Sequence, residues 1–194
     1  IYGGPEYETL GAFGSVCGVD DLRAVAKANE LCNAYSLDTI TTGMVIAFAM
    51  ECFENELLTT EDTGGLQLRF GNAKAMVEMV RRIGEREGLG DLLAEGSTYV
   101  AQKIGQGAEA YVINVKGQPF PMHEGRTRHG QALGYAVSPT GADHMHNVWD
   151  EGFARDPVGE GAYNVGVYEP IPPTVLNAAK VRAYTNTANW TWLK

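Results

Sequence analysis

Met44-Val45-Ile46-Ala47-Phe48-Ala49-Met50 is an unbroken apolar run with no charge and no turn former. Asp38 or Thr39 supplies a helix-capping side chain before it, and the segment through about Glu56 reads as one helix. The run is apolar on every side rather than along one stripe, which predicts a helix at the centre of a core. The preceding segment repeats this character. Asp20 or Asp21 caps a helix whose Leu22, Val25, Ala26, Ala28, Leu31, Cys32 and Tyr35 cover more than one face.

On the C-terminal side, Thr59-Thr60-Glu61-Asp62 leads through Gly64-Gly65 to a third helix over about 72–86. Met76, Val77, Val80 and Ile83 form its apolar stripe. A fourth helix is predicted over about 89–104, and Tyr111-Val112-Ile113-Asn114-Val115 reads as a strand. Residues 1–18 read as a Gly-rich loop. All four histidines fall within 117–150, and residues 152–174, rich in Gly and Pro, read as a long loop. A helix starts near Val175. The predicted fold is mainly α, with a helical domain over 1–174 and a second helical domain starting at 175–194.

The chain has 194 residues, 44% hydrophobic and 20% charged, which suits a folded globular protein. Its net charge of −9 and the lack of a Lys/Arg stripe argue against nucleic acid as a partner. The apolar run is too short to cross a bilayer. Three widely spaced cysteines, Cys17, Cys32 and Cys52, suggest neither a disulfide framework nor an iron–sulfur site. They read as buried thiols in a reducing cytoplasm. The chain opens on Ile and closes inside a helical segment without a stop signal, so it is expected to be cut from a longer protein at both ends.

Three places carry candidate chemistry. Glu6-Tyr7-Glu8 sets two carboxylates beside a phenol, a set suited to acid–base work or metal binding, or simply to a solvated loop. His123, His129, His144 and His146 cluster in sequence with Glu124, Asp143 and Asp150. Histidine is the side chain suited to proton transfer near neutral pH, and a structural histidine is the plainer reading. Asn33-Ala34-Tyr35-Ser36-Leu37-Asp38-Thr39 joins two helices, where free amides attract anions or Asp38 merely caps the second helix. Gly64-Gly65 lacks the ending of a phosphate loop, and there is no G-x-S-x-G elbow.

Taken together in order and spacing, several segments are more specific. They are Gly4-Pro5-Glu6-Tyr7-Glu8-Thr9, Ala28-Asn29-Glu30-Leu31-Cys32-Asn33, Leu37-Asp38-Thr39-Ile40-Thr41-Thr42-Gly43 and Leu68-Arg69-Phe70-Gly71-Asn72. Leu93-Ala94-Glu95-Gly96, Val115-Lys116-Gly117 and Gly141-Ala142-Asp143-His144 complete the set. With these the chain resembles the aldehyde:ferredoxin oxidoreductase family over nearly its whole length.

The resemblance implies a tungsten or molybdenum held between two pterin dithiolenes, with a [4Fe–4S] cluster nearby. It implies a β-rich cofactor domain upstream, and cluster cysteines just before Ile1 and just after Lys194. No residue here is an expected metal ligand. Asn33, Ser36, Leu37 and Asp38 match a pterin-binding motif, Asp-x-x-Gly-Leu followed by an acidic residue or Cys. Asn33 replaces its Asp and Ser36 its Gly. Glu8 aligns with a carboxylate close to the metal and His144 with an active-site histidine. His123 is a third catalytic candidate. It stands in His123-Glu124-Gly125-Arg126, where family members acting on aldehydes often carry Tyr or His before Asp-Pro-Arg. Met145-His146-Asn147 and His129 also depart from the pattern.

The implied activity is oxidation of aldehydes to carboxylic acids with ferredoxin, or another iron–sulfur carrier, as electron acceptor. The alternative within the family is tungsten-dependent reduction of an aryl-CoA thioester. A structural helical module is the non-enzymatic alternative. Oligomeric state is left open, a homo-oligomer included.

Overall fold

Glu6 starts the regular structure. Its carboxylate accepts the Thr9 amide at 3.1 Å and caps α1, Tyr7–Leu10, which runs on into a π-helical turn over Gly11–Val16. Residues 7–16 are therefore helical where the sequence reads as loop. Packing decides this: Ala12 and Phe13 are fully buried, and a Cβ at Gly43 would lie 2.7 Å from the Ala12 Cβ. Only glycine lets the two backbones approach that closely.

Asp21 caps α2, Leu22–Tyr35, by accepting the Arg23 and Ala24 amides. The chain turns at Ser36, and Asp38 caps α3, Thr39–Glu54. α3 carries the apolar run and packs against the π-helical turn, α1, α2, the helices over Ala73–Glu85 and Ser97–Ile104, and a 3-10 turn over Ala108–Tyr111. Neighbours on every side explain why it is apolar on every side. Asn72 caps α4, Ala73–Glu85. The expected fourth helix is two: α5, Leu89–Leu93, and α6, Ser97–Ile104. The break falls at Gly96, whose φ of 86° no α-helix accommodates.

The computed structural model describes residues 3–145 and 148–192 and is mainly α-helical. The chain forms two compact units, the first ending at Ile113 and the second beginning at Asn114.

The first unit holds one large core, with Phe13, Ile46, Met50, Leu68, Met76, Met79 and Leu93 all but fully buried. It closes with a 3-10 turn over Ala108–Tyr111. The predicted strand over 111–115 is reduced to β1, Asn114–Val115, antiparallel to β2, Gln118–Pro119. Lys116 and Gly117 make the tight turn with φ of 55° and 83°, the left-handed geometry of two-residue hairpins. Upstream of Asn114 the segment finds no pairing strand among the described residues.

The second unit continues with α7, His129–Val137, and α8, Asp150–Phe153. α9, Glu160–Asn164, and α10, Ala178–Trp192, follow. The segment read as loop over 152–174 thus holds the end of α8 and all of α9. Val148, Phe153, Ala162, Val167, Ile171 and Ala183 form a separate small core. No single helix among the described residues is long and apolar enough to cross a membrane.

Candidate functional site

In the first unit the α2–α3 junction is tied to the opening segment. Asn29 donates its side-chain amide to the Gly3 carbonyl at 3.2 Å, and the Thr9 and Thr39 hydroxyls are 2.9 Å apart. These contacts bring α1, and with it Glu8, to the N-terminus of α3. Glu8 is 6% exposed, so the solvated-loop reading does not describe it, whereas Tyr7 is 61% exposed.

At the junction, Asn33 donates its amide hydrogens to the Asn29 carbonyl at 2.8 Å and to Asn29 Oδ1 at 3.3 Å. That orientation leaves the Asn33 side-chain oxygen as the acceptor. Ser36 closes α2 in the left-handed conformation, φ 58° and ψ 40°. Asp38 Oδ2 accepts the Thr41 amide at 2.6 Å, so the capping role is real. A carboxylate has about four lone-pair sites, so one capping bond leaves acceptor capacity. Asn33, Ser36 and Asp38 are exposed and Leu37 half-buried.

Cys17, Cys32 and Cys52 are free and buried, as the sequence predicts. Burial pushes the Cys17 and Cys32 thiols up to about 12 and Cys52 up to about 11. Groups held so firmly in the protonated form are poor thiolate ligands.

In the second unit His123 and His144 come together. Their ring centroids are 5.0 Å apart with planes tilted by 38°. Three residues hold His123. The Tyr135 hydroxyl donates to its carbonyl at 3.0 Å, and Trp149 meets its ring edge-on at 4.9 Å. Arg128 Nη1 lies 3.2 Å from its Nδ1. His144 follows a turn supported by the β-hairpin: Lys116 Nζ donates to the Ser138 carbonyl at 2.5 Å. A Cβ at Gly141 would lie 2.1 Å from the Val115 carbonyl, so only glycine fits. The Val115-Lys116-Gly117 and Gly141-Ala142-Asp143-His144 motifs are therefore one packed arrangement. Asp143 spends a carboxylate oxygen on the Met145 amide at 2.7 Å.

Other carboxylates and histidines of this stretch have partners of their own. Glu124 folds onto Arg126, and His129 begins α7 with its amide on the Pro173 carbonyl. His146 and Asn147 lie outside the described residues. Asp150, which the sequence groups with the histidines, is fully buried against Lys180 at 2.6 Å. It also accepts the Gly130 and Gln131 amides at the start of α7. Lys180 donates further to the Pro172 and Pro173 carbonyls. Sequence reasoning missed this ion pair and the Arg128 contact. A lysine in the first turn of a helix and an arginine five residues past a histidine carry no local signal.

A family model described as aldehyde ferredoxin oxidoreductase, domains 2 & 3, matches residues 2–193. The chain belongs to the aldehyde ferredoxin oxidoreductase family. It is similar to the tungsten-containing aldehyde ferredoxin oxidoreductase of Pyrococcus horikoshii, 40% identical over 145 residues, covering 73% of this chain and 24% of that protein. It is also similar to a Pyrococcus furiosus protein named aliphatic sulfonate oxidoreductase, WOR-like subunit. There the identity is 34% over 146 residues, covering 72% of this chain and 23% of that one. A solved structure of the active site complex BamBC of benzoyl coenzyme A reductase, in complex with 1,5 dienoyl-CoA, aligns with a TM-score of 0.59 and 28% identity. It covers 68% of this chain and 20% of that chain. The chain spans about a quarter of the length of the curated relatives it matches.

Proposed function

We propose that this chain is part of a tungsten- or molybdenum-pterin, iron–sulfur oxidoreductase that converts aldehydes to carboxylic acids and passes the electrons to ferredoxin. The observation that carries the reading is the family match over residues 2–193, with tungsten-containing relatives. The family's domain boundary is assigned near 174/175.

The junction residues fit a pterin by their chemistry. A pterin edge offers N–H donors, and the Asn33 oxygen and the uncommitted sites of Asp38 are acceptors at one helix junction. Ser36 supplies the left-handed turn that the motif's glycine would supply. Asn33, Ser36, Leu37 and Asp38 are therefore assigned to hold the pterin. The bound metal supplies the two-electron redox chemistry when present. The cluster ligands are assigned outside these residues, since the three thiols here are buried and protonated. A reducing cytoplasm suits three unpaired thiols.

Oxidising an aldehyde adds an oxygen from water and releases an electron pair and protons, so the chain's task is to take those protons away. Glu8, a buried carboxylate, and His144 are assigned to hold and move them, with His123 beside His144. In the full-length protein, His144→Gln keeps bulk and hydrogen bonding but removes the titrating proton. We expect turnover to fall on the order of 10²–10⁴-fold with metal content unchanged. Near wild-type turnover at full metal content rejects the role. Metal loss in both His144→Gln and His144→Ala makes His144 a structural residue or ligand.

The solved benzoyl coenzyme A reductase complex supports a second reading, reduction of an aryl-CoA thioester on the same site. Assaying the full-length protein with aldehydes and with aryl-CoA thioesters separates the two.

A further inference from the structure

We infer that Arg128 is a positioning residue that fixes His123 as its Nε2–H tautomer, with Glu151 anchoring the arginine. The guanidinium carries donors only and does not lose its charge in proteins. At 3.2 Å from His123 Nδ1 it can therefore only donate, so Nδ1 accepts and the ring proton resides on Nε2. A ring carrying a proton on Nδ1 would set N–H against N–H.

The arrangement is built in layers. Arg128 is the N-cap residue of α7, so the helix fixes its backbone. The turn before it is closed by Thr127, whose amide and hydroxyl both donate to the Glu124 carbonyl. This folds Arg128 back over His123. On its other side the Arg128 Nε pairs with Glu151 of α8. Burial pushes the Glu151 carboxyl up, but its own backbone amide and Arg128 outweigh that and hold it below the usual carboxylate range. The anchor is thus anionic at neutral pH. Tyr135 fixes the His123 carbonyl and Trp149 the ring plane, which leaves the ring proton as the remaining choice, and Arg128 makes it.

The consequence reaches the neighbouring imidazole. A ring nitrogen of His123 and one of His144 lie within 4.8 Å of each other. Of the two imidazoles, His123 is committed to donate from Nε2. This rests on the reading that His123 serves proton chemistry, but the tautomer itself does not.

The test uses the full-length protein labelled with [15N]histidine and long-range proton–nitrogen correlation spectra, with His123→Gln identifying the His123 signals. We expect a single Nε2–H pattern in the wild type. In Arg128→Ala we expect loss of that pattern to a mixture of both tautomers. A wild-type ring in the Nδ1–H or doubly protonated form overturns the inference, and that spectrum decides even if Arg128→Ala does not fold. An unchanged pattern in a folded Arg128→Ala overturns it as well. If the pattern shifts as expected while His123→Gln turns over like wild type, the catalytic role of His123 fails and the positioning stands.

Discussion

Ser36 shows how a departure from a motif acquires a physical meaning. The sequence records only that a serine stands where the family motif has glycine. The backbone at φ 58° explains the glycine. A left-handed residue with a Cβ costs about 1–2 kcal/mol, while glycine's greater unfolded-state freedom costs roughly 0.5–1 kcal/mol. Ser36→Gly is therefore expected to stabilise by about 0.5–1 kcal/mol, read as a higher urea midpoint. A lower midpoint would mean the serine side chain contributes a contact of its own. Asp38 carries both a cap and a proposed cofactor contact, and two variants separate them. Asp38→Ala should lose about 1 kcal/mol from the cap, whereas Asp38→Ser should keep most of it. In the full-length protein both should lower bound pterin. Full pterin in Asp38→Ser would leave capping as the whole role.

The thiols give a prediction at alkaline pH. Their folded-state values, about 12, 12 and 11, lie above the ordinary 9.0. Below 9 both folded and unfolded forms are protonated and the stability is fully present. As pH rises above 9 the unfolded thiols lose protons first, so stability falls through the window from 9 to about 12. The urea midpoint should drop across the lower part of that window, and Cys17→Ala with Cys32→Ala should shallow the drop. An equal slope in that double variant would assign the effect to other groups.

At the scale of elements, legibility followed length and periodicity. α2, α3 and α4 were readable because their caps and apolar faces are local properties, and α4 in particular separates its buried Met76, Val80 and Ile83 from a charged face. The α5–α6 break is local, at Gly96, whereas two other differences come from tertiary pairing that sequence does not display. Residues 7–16 are helical because Gly43 admits the Ala12 backbone, and the strand over 111–115 shrank because its upstream half lacks a partner. Gly43→Ala is expected to destabilise by about 1–3 kcal/mol through overpacking, measured by chemical denaturation. No loss would show that the two backbones can separate freely.

The buried Asp150–Lys180 pair is the structural keystone of the second unit's helices. Breaking such a pair from one side leaves an uncompensated charge and costs about 3–5 kcal/mol. Lys180→Met should show that loss. Adding Asp150→Asn, which still offers an acceptor to the α7 amides, should recover most of it. A double variant as unstable as the single would mean the lysine matters for packing rather than charge. Of the candidate site, Asn33, Leu37, Asp38, Glu8 and His144 could be proposed from motif order alone. Arg128 could not, because its relation to His123 depends on a turn and a cap rather than on spacing.

At the scale of the whole molecule, family membership is established over nearly the full chain, while the chain corresponds to about a quarter of its relatives. The proposed activity therefore belongs to the longer protein, where a C-x-x-C-x-x-x-C pattern upstream and a single Cys downstream would favour an enzyme over a structural helical module. The central claim is that these helices serve a pterin-bound metal. It is tested most directly by metal and pterin analysis of the full-length protein, purified without oxygen from cells supplied with both tungstate and molybdate. The account predicts about one tungsten or molybdenum per chain, with pterin recovered alongside it. A correctly folded protein that carries neither metal and no pterin would contradict it.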